Sequence, residues 1–184
     1  MIKHLAFILF SLFSAVNFTS VAAQEAGQVV GGSYQLGAGD VIRINVFGEK
    51  ELSFDSIRLN DAGSFSYPFL GQVTAKGLSA TALEQSLRTG LMNGYLKDPR
   101  VSVSVLEYRP FFITGEVKTS GGYVFQPGLT IRRAVALAGG LTPRASEKRI
   151  TIIRETDSSK TPEPATMDTQ VAPGDSINID QGFF

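Results

Sequence analysis

Alternation of apolar and polar side chains begins at residue 41. In Val41-Ile-Arg-Ile-Asn-Val46, Ile42, Ile44 and Val46 oppose Arg43 and Asn45. A period of two gives a strand one buried and one solvated face. Asn60-Asp-Ala-Gly63 has the chemistry of a reversing turn, and Phe65, Tyr67 and Phe69 alternate after it. This predicts a hairpin whose second strand pairs with the one before the turn. The period then changes. Ser79 is placed to accept the free amide hydrogens of a helix's first turn, and Ala80, Leu83, Leu87 and Leu91 follow at spacings of three and four, a single apolar stripe. Asp98-Pro99 ends that run. Val101, Val103 and Val105 then alternate with Arg100, Ser102 and Ser104. Strand, hairpin, helix and strand over 34–108 make one α+β unit.

Arg109-Pro110 marks a boundary, beyond which the pattern restarts. Phe111 to Val117 reads as a strand, Gly121-Gly122 as a turn, and Tyr123-Val-Phe125 as the return. Thr130 caps a second helix carrying Ile131, Ala134, Val135 and Ala138, and Gly139-Gly140 stops it, since glycine enters the left-handed conformation cheaply. A strand is expected over Arg149 to Arg154, and a mobile loop over Glu155 to Pro164. Val171-Ala-Pro-Gly-Asp175 repeats the turn-into-strand logic of Gly37-Ala-Gly39-Asp40. The predicted fold class is α+β, with two small β-rich modules, 34–108 and 109–184, each carrying a packed helix.

The N-terminus has a different character. Lys3, the apolar run Leu5 to Val16 and the small residues Val21-Ala-Ala23 have the form of an export signal over 1–23, with cleavage expected after Ala23 and an uncleaved anchor as the alternative. Residues 24–33 are polar and glycine-rich and read as a flexible leader. The chain has no cysteine. Disulfides and a cysteine-borne lipid anchor are therefore excluded, and the folded part is expected outside the cytoplasm. Without Lys3, acids outnumber bases by one, which argues against nucleic acid, whose binding needs a basic surface. There are too few alternating segments for a membrane barrel of eight strands or more.

Candidate chemistry is sparse. The single histidine, His4, lies within the export signal. Without it, serine or cysteine catalysis assisted by histidine and ordinary histidine or thiolate zinc sites lack their residues, and no cofactor is expected. Carboxylate pairs remain open as hydrolytic groups. Against this, Asp40, Asp61, Asp98 and Asp175 each stand in a context where aspartate caps a turn. A basic stretch holds Arg132, Arg133, Arg144, Lys148, Arg149 and Arg154 against one acid, Glu147. It reads either as a solvated surface or as a face for an acidic polymer or neighbouring subunit. The aromatic set Phe65, Tyr67, Phe69, Tyr108, Phe111, Phe112, Tyr123 and Phe125 reads as core, with sugar stacking as the alternative.

Several motifs occur in one order: Tyr34-x-Leu-Gly37-x-Gly39-Asp40, Tyr67-Pro-Phe-Leu-Gly71, Gly77-Leu-Ser, and Tyr95-Leu-Lys-Asp98-Pro99-Arg-Val-Ser-Val103. This series resembles the polysaccharide-export domain of the Wza-type outer-membrane exporters. Ile113-Thr-Gly-Glu-Val117, Pro127-Gly-Leu-Thr130, Ala136-Leu-Ala-Gly139-Gly140-Leu-Thr and Pro173-Gly-Asp175 resemble the β-grasp module called SLBB that follows it. The resemblance implies a non-enzymatic periplasmic homo-oligomer, a ring, that conducts a capsule or exopolysaccharide from an inner-membrane polysaccharide copolymerase. With no cysteine and one SLBB-like module, the chain resembles the short form of the family. That form implies a separate outer-membrane barrel protein to complete the route, holding this chain at the outer membrane. Read without the resemblance, the residues leave two alternatives: a monomeric periplasmic β-grasp module binding a soluble ligand or glycan, and a carboxylate-dependent glycan hydrolase.

Overall fold

The computed structural model describes residues 34–182. The export signal, the leader and Phe183-Phe184 lie outside the described residues. Strand β1 (Val41–Val46) is central to a three-stranded antiparallel sheet, flanked by β2 (Phe54–Arg58) and β5 (Val101–Glu107). Its alternation is realised: Ile42, Ile44 and Val46 are buried, while Arg43 and Asn45 face solvent. Helix α1 (Ala80–Met92) starts where Ser79 accepts the Ala82 amide at 3.1 Å. Leu83, Leu87 and Leu91 are all fully buried, in one core with β1, Phe65 and Tyr67. Glu84 of α1 accepts the Val103 amide at 2.7 Å, which fixes the helix to the edge strand β5.

The predicted hairpin is corrected. Strand β3 (Ser64–Tyr67) pairs with β4 (Gly71–Thr74), whereas β2 pairs with β1. The turn at 60–63 does form, with Asn60 Oδ1 accepting from the Ala62 and Ser64 amides. It redirects the chain out of the first sheet. The hairpin reversal comes later, at Pro68-Phe69-Leu70, where Phe69 has φ 64° and Gly71 φ 70°. Proline offers no amide to a ladder, so the alternation that seemed to continue through Phe69 stops at Tyr67.

The second sheet has the order β7-β6-β10-β8-β9. Its strands are β6 (Phe111–Gly115), β7 (Gly121–Tyr123), β8 (Ala145–Ile153), β9 (Glu163–Ala165) and β10 (Ser176–Gln181). Strands β6 and β10 are parallel, and the other pairs are antiparallel. Gly121-Gly122, expected in a turn, lies within β7. Gly122 pairs with Phe112, whose ring lies 3.0 Å from where a Cβ would stand, so the glycine serves ring packing. Helix α2 (Ile131–Leu137) is capped by Thr130, packs Ile131, Ala134 and Val135 into the second core, and ends at Gly139 and Gly140, both with positive φ. Strand β8 starts earlier than expected, at Ala145. Part of the expected 155–164 loop is ordered by Asp157, which accepts the Ser159 and Thr161 amides, and its end enters β9. There Pro164 sits on an edge strand, where a missing donor is tolerated.

Candidate functional site at the junction of the two sheets

Gly37-Ala-Gly39-Asp40 turns into β1 and buries its aspartate completely. The Asp40 carboxylate accepts four hydrogen bonds: from the Gly37 amide at 2.8 Å, the Arg109 amide at 2.8 Å, the Tyr34 hydroxyl at 2.5 Å and the Arg109 guanidinium at 3.2 Å. A Cβ at position 37 would lie 2.4 Å from the Arg109 guanidinium, so a side chain there would push the guanidinium off Asp40.

Ala172-Pro-Gly-Asp175 builds the same device at the start of β10. Asp175 Oδ2 accepts the Ala172 amide and the Arg154 guanidinium, each at 2.8 Å, and Oδ1 accepts the Glu155 amide at 3.1 Å. In both cases the aspartate opens a strand and the arginine closes that strand's antiparallel neighbour: β1 with β5, and β10 with β8. The two clamps also touch. The Gly174 amide donates to Pro110 O at 3.0 Å, the Phe112 amide to Asp175 O at 2.8 Å, and a Cβ on Gly174 would stand 2.9 Å from Arg109 Nε. Arg109 therefore binds one clamp and packs on the other.

Above this junction lies a cleft of about 800 Å³ lined by Tyr34, Tyr108, Phe125, Arg109, Arg154 and Gln170, among others. The Tyr34 and Tyr108 rings meet edge to face at 4.9 Å, and Tyr108 and Phe125 at 5.4 Å. Burial, reinforced by the hydrogen bond to Asp40, raises the Tyr34 phenol far above the ordinary tyrosine range, with Arg109 opposing the shift. The phenol stays protonated as a donor.

This arrangement positions backbone. Each buried carboxylate is taken up by amide hydrogens and an arginine, and both guanidinium charges already face an aspartate. Among the described residues no group of three or more histidine, cysteine, aspartate or glutamate side chains could hold a metal ion.

The basic stretch singled out in the sequence is divided. Arg132 pairs with Asp168 at 3.1 Å, and Arg133 donates to Gly128 O at 3.2 Å, both from α2. At the far end of β10, Arg149 reaches Asp180 at 3.4 Å and Arg144 bonds Gln181. Lys148 is exposed on β8. Arg154 serves the clamp instead. Asp98, expected to cap a turn, is exposed and pairs with Arg88 at 3.0 Å, while Pro99 beside it is buried. At the other turn, Asn60 does the capping assigned to Asp61. Of the aromatics, Phe65, Tyr67 and Phe111 are core, and Tyr108, Tyr123 and Phe125 are half-buried. Phe69 and Phe112, also expected in the core, are exposed. Arg109 and Arg154 gave no signal as clamp partners, because an arginine just past a strand looks like any solvated end until strand pairing is known.

Residues 28–106 match the family model described as polysaccharide biosynthesis/export protein, and residues 110–163 match the SLBB domain. The chain is 33% identical over 134 residues to the exopolysaccharide production protein ExoF of Rhizobium meliloti (strain 1021), covering 66% of this chain and 32% of ExoF. It is 25% identical over 181 residues to the EPS I polysaccharide export outer membrane protein EpsA of Ralstonia nicotianae, covering 80% of this chain and 47% of EpsA. It thus spans about a third to a half of the length of these curated relatives. No helix among the described residues is long and apolar enough to cross a membrane. The chain thus carries a polysaccharide biosynthesis/export domain over 28–106, followed by an SLBB domain over 110–163.

Proposed function

We propose that this protein is a non-enzymatic, periplasmic component of an exopolysaccharide or capsule export machine, with an export domain at 34–108 and an SLBB β-grasp domain at 109–184. Copies assemble into a ring that guides the polymer from an inner-membrane copolymerase towards a separate outer-membrane barrel. The observation that carries this reading is the double clamp at the domain junction. Its two carboxylates are spent on backbone amides, which suits a rigid building block and leaves neither of them free for acid–base work on a glycan. Rigid domain pairing supports head-to-tail contacts, which close into a cycle when the rotation between copies permits. Weak, repeated contact also suits cargo that must keep moving, as it does for permeating ions.

A second reading has an observation of its own. The junction cleft, about 800 Å³ with aromatic walls, is in the size range of small-ligand sites, and favours a monomeric module that binds a soluble ligand or glycan. Light scattering over a range of protein concentrations, with and without polymer and membrane partners, separates the two. The ring reading expects a discrete oligomer in at least one of these conditions. A monomer throughout overturns it.

A further inference from the structure

The tip of the β3–β4 hairpin presents an aromatic side chain at an energetic cost. Phe69 has φ 64°, a left-handed conformation that a bulky L-residue adopts rarely, and 63% of its surface is exposed. Its ring lies 4.8 Å from that of Tyr95, at an interplanar angle of 24°. Tyr95 is itself 49% exposed, and its hydroxyl donates to Phe69 O at 3.3 Å. The loop is braced from below: Leu70 packs over Gly90 of α1 so closely that a Cβ there would lie 2.9 Å from Leu70 Cδ1. Gly90 thus admits Leu70, and the strained Phe69 points the other way, into solvent.

Two near-parallel rings shield one face of each other, and at 63% and 49% exposure both keep surface open to solvent. An aromatic face is electron-rich, and the apolar face of a pyranose presents several weakly positive C–H bonds in one plane. The two match in size and polarity. Gln72, Asn93 and Lys97, close to the rings in the chain, are exposed and polar, which suits hydroxyl groups around a stacked sugar. Apart from Met92, this end of α1 adds no exposed large apolar side chain, far from the roughly 800 Å² per partner of a stable protein interface.

We propose that Phe69 and Tyr95 form a stacking platform for a single pyranose unit of the exported polymer, a weak site outside the junction cleft. The proposal rests on the export reading above. The test is ring-proton NMR of the purified protein, as its cells process it, titrated with short oligosaccharides released by partial acid hydrolysis of those cells' own exopolysaccharide. Saturable shifts of the Phe69 and Tyr95 rings near 1 mM are expected, about tenfold weaker in Phe69→Ala and Phe69→Gly and unchanged in Phe47→Ala. Phe69→Gly should unfold at no lower a denaturant concentration than wild type, because glycine enters the left-handed region without the steric penalty. Lost binding in that variant therefore reports on the ring and not on folding. Silent rings at sugar concentrations up to about 10 mM overturn the platform. So do ring shifts that follow protein concentration without sugar, which would make the patch a contact between copies. Silent rings in the titration, together with export restored to a deletion strain by Phe69→Gly, remove the platform and leave the export reading standing. A deletion strain that exports normally overturns both.

Discussion

Replacing Asp40 with alanine tests the junction clamp most severely. The carboxylate is fully buried and satisfies two backbone amides, a phenol and a guanidinium. Removing it strands the Gly37 and Arg109 amides, and a buried donor left unpaired costs about 1–3 kcal/mol. Breaking a buried ion pair from one side costs about 3–5 kcal/mol. These figures overlap, because the same desolvated groups enter both, and the Arg109 side chain keeps 14% of its surface in water. The expected loss for Asp40→Ala is therefore about 3 kcal/mol, the low end of the range. Asp40→Asn keeps the shape. Its carbonyl can face Gly37, Tyr34 and the guanidinium, but its NH2 group then opposes the Arg109 amide, so one donor is stranded and the loss is about 1–2 kcal/mol. Arg109→Met added to Asp40→Ala should cost little further, with a coupling of about 2 kcal/mol. Urea unfolding at pH 7 followed by circular dichroism measures all of these, and in a chain of this size about 3 kcal/mol corresponds to a drop of roughly 6–12 °C in thermal midpoint. An Asp40→Ala variant within 1 kcal/mol of wild type, or one no worse than Asp40→Asn, would refute the clamp.

Three further outcomes follow from the same geometry. Gly174→Ala places a Cβ within 2.9 Å of Glu155 and Arg109 at a φ of 87°, so it should destabilise by about 2 kcal/mol or more, whereas Gly94→Ala, at φ 98° in open space, pays only the backbone strain of about 1–2 kcal/mol; denaturant midpoints compare the two. Leu87→Ala empties a fully buried position under α1 and should cost about 2–5 kcal/mol, read in the same unfolding experiment. Burial pushes the Tyr67 phenol up from 10.0 to about 12, and its hydroxyl donates to Leu52 O at 2.7 Å. A raised native pKa means that the stabilising contribution is complete below pH 10 and is lost as pH rises through 12, at most roughly 2–3 kcal/mol. Stability should thus fall less steeply between pH 10 and 12 in Tyr67→Phe than in wild type.

Much of the architecture was legible because it rests on local periodicity. Ile42, Ile44 and Val46, the leucine stripe of α1 and the caps Ser79 and Thr130 all stand where their spacing put them. Ladder partners were not legible at 60–63, because turn residues announce a reversal without naming the strand that receives it. Position 69 was misread for a related reason: alternation cannot tell a strand from a turn whose residue holds an unfavourable φ. The recurrence of Gly-Asp before a strand was visible, but Arg109 and Arg154 become its partners only through β1–β5 and β8–β10 pairing. The basic stretch misled through proximity in sequence. Arg149 and Arg154 are five residues apart on or just past one strand, about 16 Å at 3.3 Å per residue, so they face opposite ends of β10.

Where the polymer goes when the protein is missing tests the export role most directly. In a strain deleted for this chain and complemented with it on a plasmid, periplasmic and extracellular fractions are assayed for the strain's exopolysaccharide. The account predicts that extracellular polymer disappears in the deletion, with synthesis stalled or polymer retained inside the envelope, and returns on complementation. Unchanged extracellular polymer in the deletion strain would contradict it.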